Sequence, residues 1–256
     1  MPPLVAHYQE PRFGVRKEMG TARMKLDIGD AIDLVEVAAS DSACGRIRAG
    51  ADFFTYALTS NWQGHRLQVD AVDGFFGGHI VFAAPGGWPP LTLRLRILHL
   101  SAHFVDGHYD FAAREWLGGM NPVPFTKDFG ELTGLYAFRV GTCRIQAYSG
   151  LSYATLVRPS VLKRISTLHG VQLDSGDWAG SALGRPLTLY AADDFTLAGV
   201  PSYVGTNNVE FGARFGEPAG QGVKIYLSYF SGLNIFSQYF NVRWDQWGIG
   251  FAFDIW

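Results

Sequence analysis

The sequence predicts an all-β fold: a single antiparallel transmembrane β-barrel of about 12 strands with periplasmic termini. Two observations carry this prediction. Segments in which apolar and polar residues alternate recur along the whole chain and are separated by turn residues, as in membrane barrels. In nearly every segment one set of alternate residues is wholly apolar and the charges fall in the other set. One face of the sheet therefore suits lipid, and the other suits a polar lumen.

The composition favours strands and excludes some functions. The 256 residues include 31 Gly and 19 Phe but only 17% charged residues, a profile that suits strands joined by glycine turns. The formal net charge of −2 gives no electrostatic basis for binding nucleic acid. No apolar run reaches the roughly 20 residues of a membrane helix, and the N-terminus lacks the features of a signal peptide. We therefore expect one barrel domain over residues 1–256, with an N-terminal extension over 1–10 and the signal peptide absent from this numbering.

The predicted strands are the segments in which alternation is visible. In one of them Ile47 and Ala51 alternate with Arg48 and Asp52. Counted from a periplasmic N-terminus, the connection over residues 105–130 is a long extracellular loop. With the two parts of the fourth strand counted together, the segments are Arg12–Arg16, Lys25–Leu34, Arg46–Phe53, Arg66–Ala71 with Gly77–Phe82, Leu91–Phe104, Gly134–Val140, Arg144–Tyr153, Arg164–Leu173, Leu187–Leu197, Val209–Phe215, Val223–Tyr229 and Trp247–Trp256.

One stretch, Leu91–Asp110, carries both a strand pattern and the best candidate chemistry. In its first half apolar residues alternate with Arg94 and Arg96. At Ile97-Leu98 two apolar residues are adjacent, and the alternation then resumes one step out of phase, which predicts a β-bulge. The bulge would bring three further polar side chains onto the arginine face, namely His99, Ser101 and His103.

Three blocks of the chain resemble a known family. Pro2–Arg16, Arg94–Asp110 and Tyr229–Trp256 are similar, in this order, to motifs of the bacterial outer-membrane barrels catalogued only as domain of unknown function twelve-oh-seven. The resemblance implies an outer-membrane barrel of a Gram-negative bacterium. It implies no established activity.

A serine beside a histidine is the minimum for an activated nucleophile, which also needs an acid to orient the histidine. The His-x-Ser pair also resembles the outer-membrane lipid A deacylases over these few residues. In this hypothesis Ser101 is the nucleophile, His99 the general base with His103 as its substitute, and Asp106 the orienting acid. The protein would then be an outer-membrane lipid esterase or deacylase acting on lipid A or phospholipid.

The leading alternative is a structural or interaction barrel whose polar side chains pair across a largely plugged lumen. The residues expected in this polar network are Arg46, Arg48, Asp52, Arg66, Asp70, Arg94, Arg96, Arg144, Glu210 and Arg214.

Further alternatives are a narrow pore or transporter, and a metal site. Histidines at positions i and i+4 of a strand lie roughly 13 Å apart, too far to share one ion without a bend, so we expect no metal and no cofactor. The expected partners are outer-membrane lipid or lipopolysaccharide and a protein that binds the extracellular loops or a larger membrane assembly. No nucleic-acid partner is expected.

Overall fold

The structure is a computed structural model that describes residues 1–38, 45–62, 66–85, 91–182, 184–199, 201–216 and 221–254. Among these residues no helix is long and apolar enough to span a membrane. The strands are β1 (Phe13–Glu18), β2 (Arg23–Ala38), β3 (Arg46–Trp62), β4 (Arg66–Ala83), β5 (Leu91–Phe104), β6 (Tyr109–Asp110), β7 (Glu115–Trp116), β8 (Phe125–Val140), β9 (Cys143–Arg158), β10 (Ile165–Asp174), β11 (Ser181–Ala182), β12 (Arg185–Gly199), β13 (Tyr203–Gly216), β14 (Gly222–Leu233) and β15 (Arg243–Asp254). Short 3₁₀ helices cover Asp106–His108, Leu117–Gly119, Gly176–Ala179 and Ser237–Tyr239.

The long strands form one closed sheet. Sequential strands pair antiparallel, with β5 joined to β8, and β10 joined to β12. β1 pairs with β15 from Phe13↔Phe253 to Glu18↔Gly248, which closes the barrel. The result is a closed antiparallel barrel of 12 strands, so the prediction of a single antiparallel β-barrel of about 12 strands is confirmed. We call the end at which β1 starts and β15 finishes the termini end, and the opposite end the loop end.

Some predicted boundaries differ from those observed. β8 begins at Phe125, so the long connection covers 105–124 and is shorter than the predicted 105–130. It contains the β6–β7 hairpin and two of the 3₁₀ helices. β4 is one strand from Arg66 to Ala83, with a register irregularity where Leu58 and Thr59 face it from β3. The predicted last strand ends at residues 255–256, which lie outside the described part of the chain.

The outer face of the barrel is apolar over much of its height. On β5, Leu95 is 41% exposed and Ile97 is 67% exposed, while the intervening Arg96 is 0% exposed. Large apolar side chains are similarly exposed on the other long strands, for example Leu132 at 54% and Phe211 at 51%. A continuous apolar wall of this kind is typical of the lipid-facing band of a membrane barrel.

Residues 1–12 run inside the barrel. Leu4 is 1% exposed and packs in a cluster with Leu135, which points inward from β8. Glu10 is 5% exposed and forms an ion pair with the inward-facing Arg94. The predicted N-terminal extension therefore lies within the termini half of the barrel interior.

The interior has a different chemistry at the loop end. The connection from β14 to β15, residues 234–242, folds inward and buries Phe236, whose ring packs edge-on against Tyr56 with the centroids 5.4 Å apart. Phe54 and Phe75 stack beside them at 4.5 Å. These rings belong to one apolar cluster that fills the loop-end half.

Candidate functional site

The predicted serine and histidine row lies on the outer face of β5. Burial alternates without interruption along this strand: Arg94, Arg96 and every second residue up to Phe104 are buried. The register of β5 with β4 and with β8 contains no shift. The predicted bulge at Ile97-Leu98 is therefore wrong. The side chains of His99, Ser101 and His103 lie on the face opposite the arginines.

The adjacent apolar residues Ile97 and Leu98 mark a change in the side chains that face the lumen. The strand itself continues without a break. After Arg96 the inward positions of β5 become apolar, because they face the cluster at the loop end. The pair Phe75-Phe76 marks the same change on β4, with Phe75 0% and Phe76 52% exposed. At Ile97-Leu98 the inner face therefore turns apolar, and beyond this level the outer face turns polar.

Two hydrogen bonds organise the outer polar row. The Oγ atom of Ser101 lies 2.8 Å from Nε2 of His103. The Nδ1 atom of His99 lies 2.5 Å from Oδ1 of Asp128 on β8. The side chains of His99 and Asp128 are 34% and 44% exposed. The serine is therefore paired with His103, and the acid is paired with His99.

Asp128 is the acidic residue that sequence analysis missed. It is the direct cross-strand partner of His99, but β5 and β8 are separated in sequence by the loop 105–124, so alternation alone gives no register. The available signal was the spacing within β8. Asp128 lies three residues before the buried Glu131, and alternation therefore places it among the outward-facing residues. The side chain of Asp106, the predicted acid, lies outside the described part of the structure.

Ser101 stands in a row of small or polar residues. Gly74, Ser101, Thr126 and Arg158 are successive cross-strand neighbours on β4, β5, β8 and β9. A Cβ atom on Gly74 would have only the Ser101 carbonyl oxygen near it, at 3.9 Å. The surface beside the Ser101 hydroxyl is therefore open on its β4 side.

The Ser101–His103 pair has the geometry that proton transfer requires. In the tautomer of His103 with its proton on Nδ1, Nε2 accepts the hydrogen bond from the Ser101 hydroxyl, an arrangement that makes a hydroxyl oxygen a better nucleophile. Asp128 lies within hydrogen-bond distance of Nδ1 of His99 and orients its ring. His99 and His103 thus have different partners. In the described part of the chain no three His, Cys, Asp or Glu side chains are grouped to hold a metal ion.

A second outer-face pair was not predicted. The Oγ atom of Ser149 on β9 lies 2.9 Å from Nδ1 of His169 on β10. Within the described residues no carboxylate hydrogen-bonds to His169. This pair lies near the middle of its strands, among exposed apolar residues such as Leu151 and Val171.

The predicted lumen residues Arg94 and Arg96 bind the N-terminal segment. Nη1 of Arg94 donates to Oε2 of Glu10 at 2.9 Å, and Nη1 of Arg96 lies 3.4 Å from Oε1 of the same carboxylate. Arg96 also pairs with Glu131 of β8, with Nη2 and Oε1 2.7 Å apart. All four side chains are nearly inaccessible to solvent, so their charges are compensated within one network.

Two other predicted lumen residues are buried in the same half of the barrel. Glu210 accepts from Nη1 of Arg12 at 3.1 Å and from the Tyr190 hydroxyl at 2.8 Å. Asp52 lies 2.8 Å from Nδ1 of His79. Sequence analysis missed Glu10 because the N-terminal segment has no strand pattern to place it.

The remaining predicted lumen residues lie nearer the rims. Arg48 pairs with Asp33 at 2.7 Å and Arg46 with Glu36 at 3.8 Å. The last of these pairs is largely exposed at the termini end.

Arg214 pairs with Asp254, with Nε and Oδ2 3.0 Å apart. Asp70 accepts a hydrogen bond from Ser60 at 3.1 Å. Arg144 is half-buried at the start of β9, in register with Asp174. The side chain of Arg66 lies outside the described part of the structure.

No protein-family model matches the chain, and no curated protein matches it significantly. Solved structures with a similar fold include the β domain of the Bordetella autotransporter BrkA, at 13% identity and a TM-score of 0.48, which covers 94% of this chain and 95% of that one. OmpT, an outer membrane protein of Vibrio cholerae, is similar in its in-vitro folded form at 10% identity and a TM-score of 0.38, with 95% of each chain covered. These similarities concern the fold alone.

Proposed function

We propose that this protein is an integral outer-membrane barrel with periplasmic termini and a plugged, non-conducting lumen, serving a structural or interaction role. The observation that carries the proposal is the filling of both halves of the interior by parts of the same chain. Residues 1–12 occupy the termini half, where Glu10 is bound to Arg94 and Arg96. The inward fold of residues 234–242 occupies the loop-end half.

This arrangement argues against the pore alternative. An ion that crosses the barrel needs a continuous hydrated path, and the loop-end half is packed with buried apolar side chains, where the buried Asp73 is already bonded to Ser237. The ion pairs at the termini end compensate one another and leave few charges to select an ion. The outer apolar wall supports placement in a membrane.

Planar-bilayer recording of the purified full-length protein tests this proposal. We expect current at the level of the protein-free membrane, while a general porin reconstituted in parallel gives stepwise openings. Reproducible openings from the folded protein, verified by its heat-modifiable gel mobility, would show that the lumen conducts and would refute the proposal.

A second function is favoured by a specific observation, the 2.8 Å separation of Ser101 Oγ and His103 Nε2 on the outer face. In this alternative the protein is an outer-membrane lipid hydrolase. Ser101 attacks the carbonyl carbon of a lipid ester, and His103 takes the hydroxyl proton and returns it to the departing alcohol. Water then releases the fatty acid from the acyl-enzyme, and Ser101 regains its proton.

The geometry changes the roles predicted from sequence. His103 is the base, because it is the histidine that contacts Ser101. His99 is held by Asp128, whose Oδ1 lies 2.5 Å from its Nδ1, so it is a neighbour of the site and not the predicted base. The site faces the lipid directly, so a membrane ester needs no passage through the lumen.

Fatty-acid release from phospholipid and lipopolysaccharide, followed by mass spectrometry, tests the hydrolase. Ser101→Ala and His103→Ala should each lower release by at least about 10²-fold, the usual range for loss of a nucleophile or general base. Asp128→Asn should have a smaller effect. Ser149→Ala is the matched control, because it removes the other outer-face serine that contacts a histidine. Release that persists in Ser101→Ala would rule out this function.

A further inference from the structure

Three exposed cations lie beside the Ser101 row at the loop end. Arg158 ends β9, and Lys163 and Arg164 follow in the connection to β10, a segment without acidic residues. Nη1 of Arg158 donates to the Val157 carbonyl at 3.0 Å. Nη1 of Arg164 donates to the Ala154 carbonyl at 2.9 Å. Within the described residues none of the three forms an ion pair with a carboxylate, so their charges are available to a ligand.

The register connects this cationic patch to the serine. Ser101 pairs with Thr126, and Thr126 pairs with Arg158, all on the outer face. Ser101 and Arg158 lie two strands apart, so about 10 Å separates their backbones. Asp128, the nearest acid on β8, is engaged by His99. An arginine side chain is long enough to cover part of the distance towards the serine.

We propose that Arg158, Lys163 and Arg164 bind the phosphate of a membrane lipid headgroup and thereby place its ester at Ser101. This deepens the hydrolase alternative, since it names phosphate-bearing lipids as the substrate class. Guanidinium groups bind phosphate through paired hydrogen bonds, and an exposed cluster without carboxylate partners has no competing internal anion. The acyl chains then run down the apolar wall beside Leu95 and Ile97, in the direction of the termini end.

Lipid retention measured by native mass spectrometry tests this inference independently of catalysis. Full-length protein carrying Ser101→Ala is loaded in detergent with phosphatidylglycerol or with diacylglycerol of the same acyl chains, which lacks the phosphate. We expect retention of phosphatidylglycerol to exceed that of diacylglycerol. Adding Arg158→Gln and Arg164→Gln should lower phosphatidylglycerol retention by at least about tenfold, since the loss of even one charge-assisted contact has an effect of that size.

Arg46→Gln with Arg139→Gln is the matched control, because it removes two exposed arginines at the opposite end of the barrel. It should leave retention unchanged. Equal retention of the two lipids, or no loss in Arg158→Gln/Arg164→Gln, would overturn the inference. Displacement of the lipid by millimolar inorganic phosphate would also overturn it, since the site would then take free anions.

The hydrolase and the headgroup site can fail separately. Fatty-acid release that depends on Ser101 but is equally fast from both lipids, and unchanged by Arg158→Gln/Arg164→Gln, refutes the headgroup site and leaves the hydrolase standing. Arginine-dependent retention without any Ser101-dependent release supports the headgroup site and refutes the hydrolase.

Discussion

The carboxylate of Asp73 accepts hydrogen bonds from both the backbone N–H and the hydroxyl of Ser237, with 3.0 Å between Ser237 N and Asp73 Oδ2. Both residues are buried. This contact ties the inner wall of β4 to the inward-folded connection 234–242. It is a buried polar contact beside the apolar cluster, so its loss leaves buried donors unpaired.

Asp73→Ala should loosen the 234–242 connection without dissolving the barrel. An unpaired buried donor costs about 1–3 kcal/mol, which corresponds to an increase of about tenfold in the population of opened loops. Chymotrypsin cleavage near Phe236 and Tyr239, followed by mass spectrometry, measures this population. Asp245→Ala, which removes an exposed acid at the start of β15, is the control and should cleave like the wild type. Equal rates for both variants would mean that the tether does not hold the loop.

Glu10→Ala should destabilise the barrel more than an ordinary surface substitution. It leaves the buried Arg94 without its nearest carboxylate, and breaking a buried ion pair costs about 3–5 kcal/mol. We expect a lower urea midpoint for the heat-modifiable gel shift. Glu36→Ala breaks the exposed pair with Arg46 and should cost about 0–1 kcal/mol. Similar midpoints for the two variants would argue that the N-terminal segment contributes little to stability.

The packing of the 105–124 connection should weaken in acid, because this connection contains His108. Burial against Phe104, with ring centroids 4.1 Å apart, lowers the pKa of His108. In the unfolded chain the imidazole of His108 has its ordinary pKa of about 6.5, so the unfolded state binds the proton more readily than the folded state does. The contribution of neutral His108 to folding stability is therefore complete above about pH 6.5, and it is lost as the pH falls towards the lower pKa of the folded state. Proteolysis of the 105–124 connection should therefore accelerate between pH 7 and pH 5.

The variant His108→Phe separates this effect from general acid sensitivity. It keeps the ring stacking and removes the titrating group, so its loop proteolysis should change less with pH than that of the wild type. A pH dependence identical to the wild type would assign the effect to other groups.

The proposed orientation in the membrane can be tested with cysteine labelling. Cys143 is exposed at the turn between β8 and β9, at the termini end. In a Cys44→Ser background, an impermeant maleimide should label Cys143 only after the outer membrane is permeabilised. Ala113→Cys, exposed in the 105–124 connection, should be labelled in intact cells. The reverse pattern would place the termini outside.

The twelve strands could be predicted because alternation is a local property of the backbone. Each strand needs an apolar set of residues outside, whatever the lumen contains, and residues such as Leu95 and Phe211 supply it. The prediction at Ile97-Leu98 failed because the inner face is not uniformly polar. A switch from charged to apolar inner residues and a bulge both place two apolar residues side by side.

The site was harder to predict because it depends on contacts across strands. Ser101 and His103 are close in sequence and were identified, although on the wrong face of the sheet. Asp128 required the register across a long connection. Glu10 could not be placed from the sequence, because it lies in a segment without alternation. The structure shows that this segment turns back into the lumen and contacts Arg94.

The position of residues 1–12 also constrains the order of assembly. Arg12, bound to Glu210 of β13, is followed directly by β1, whose pairing with β15 seals the cylinder. Glu10 and Arg12 are thus attached to strands on both sides of the seam. Because these contacts span the seam, we expect them to form before or as β1 pairs with β15. The segment would then act as an internal template around which the last two strands meet.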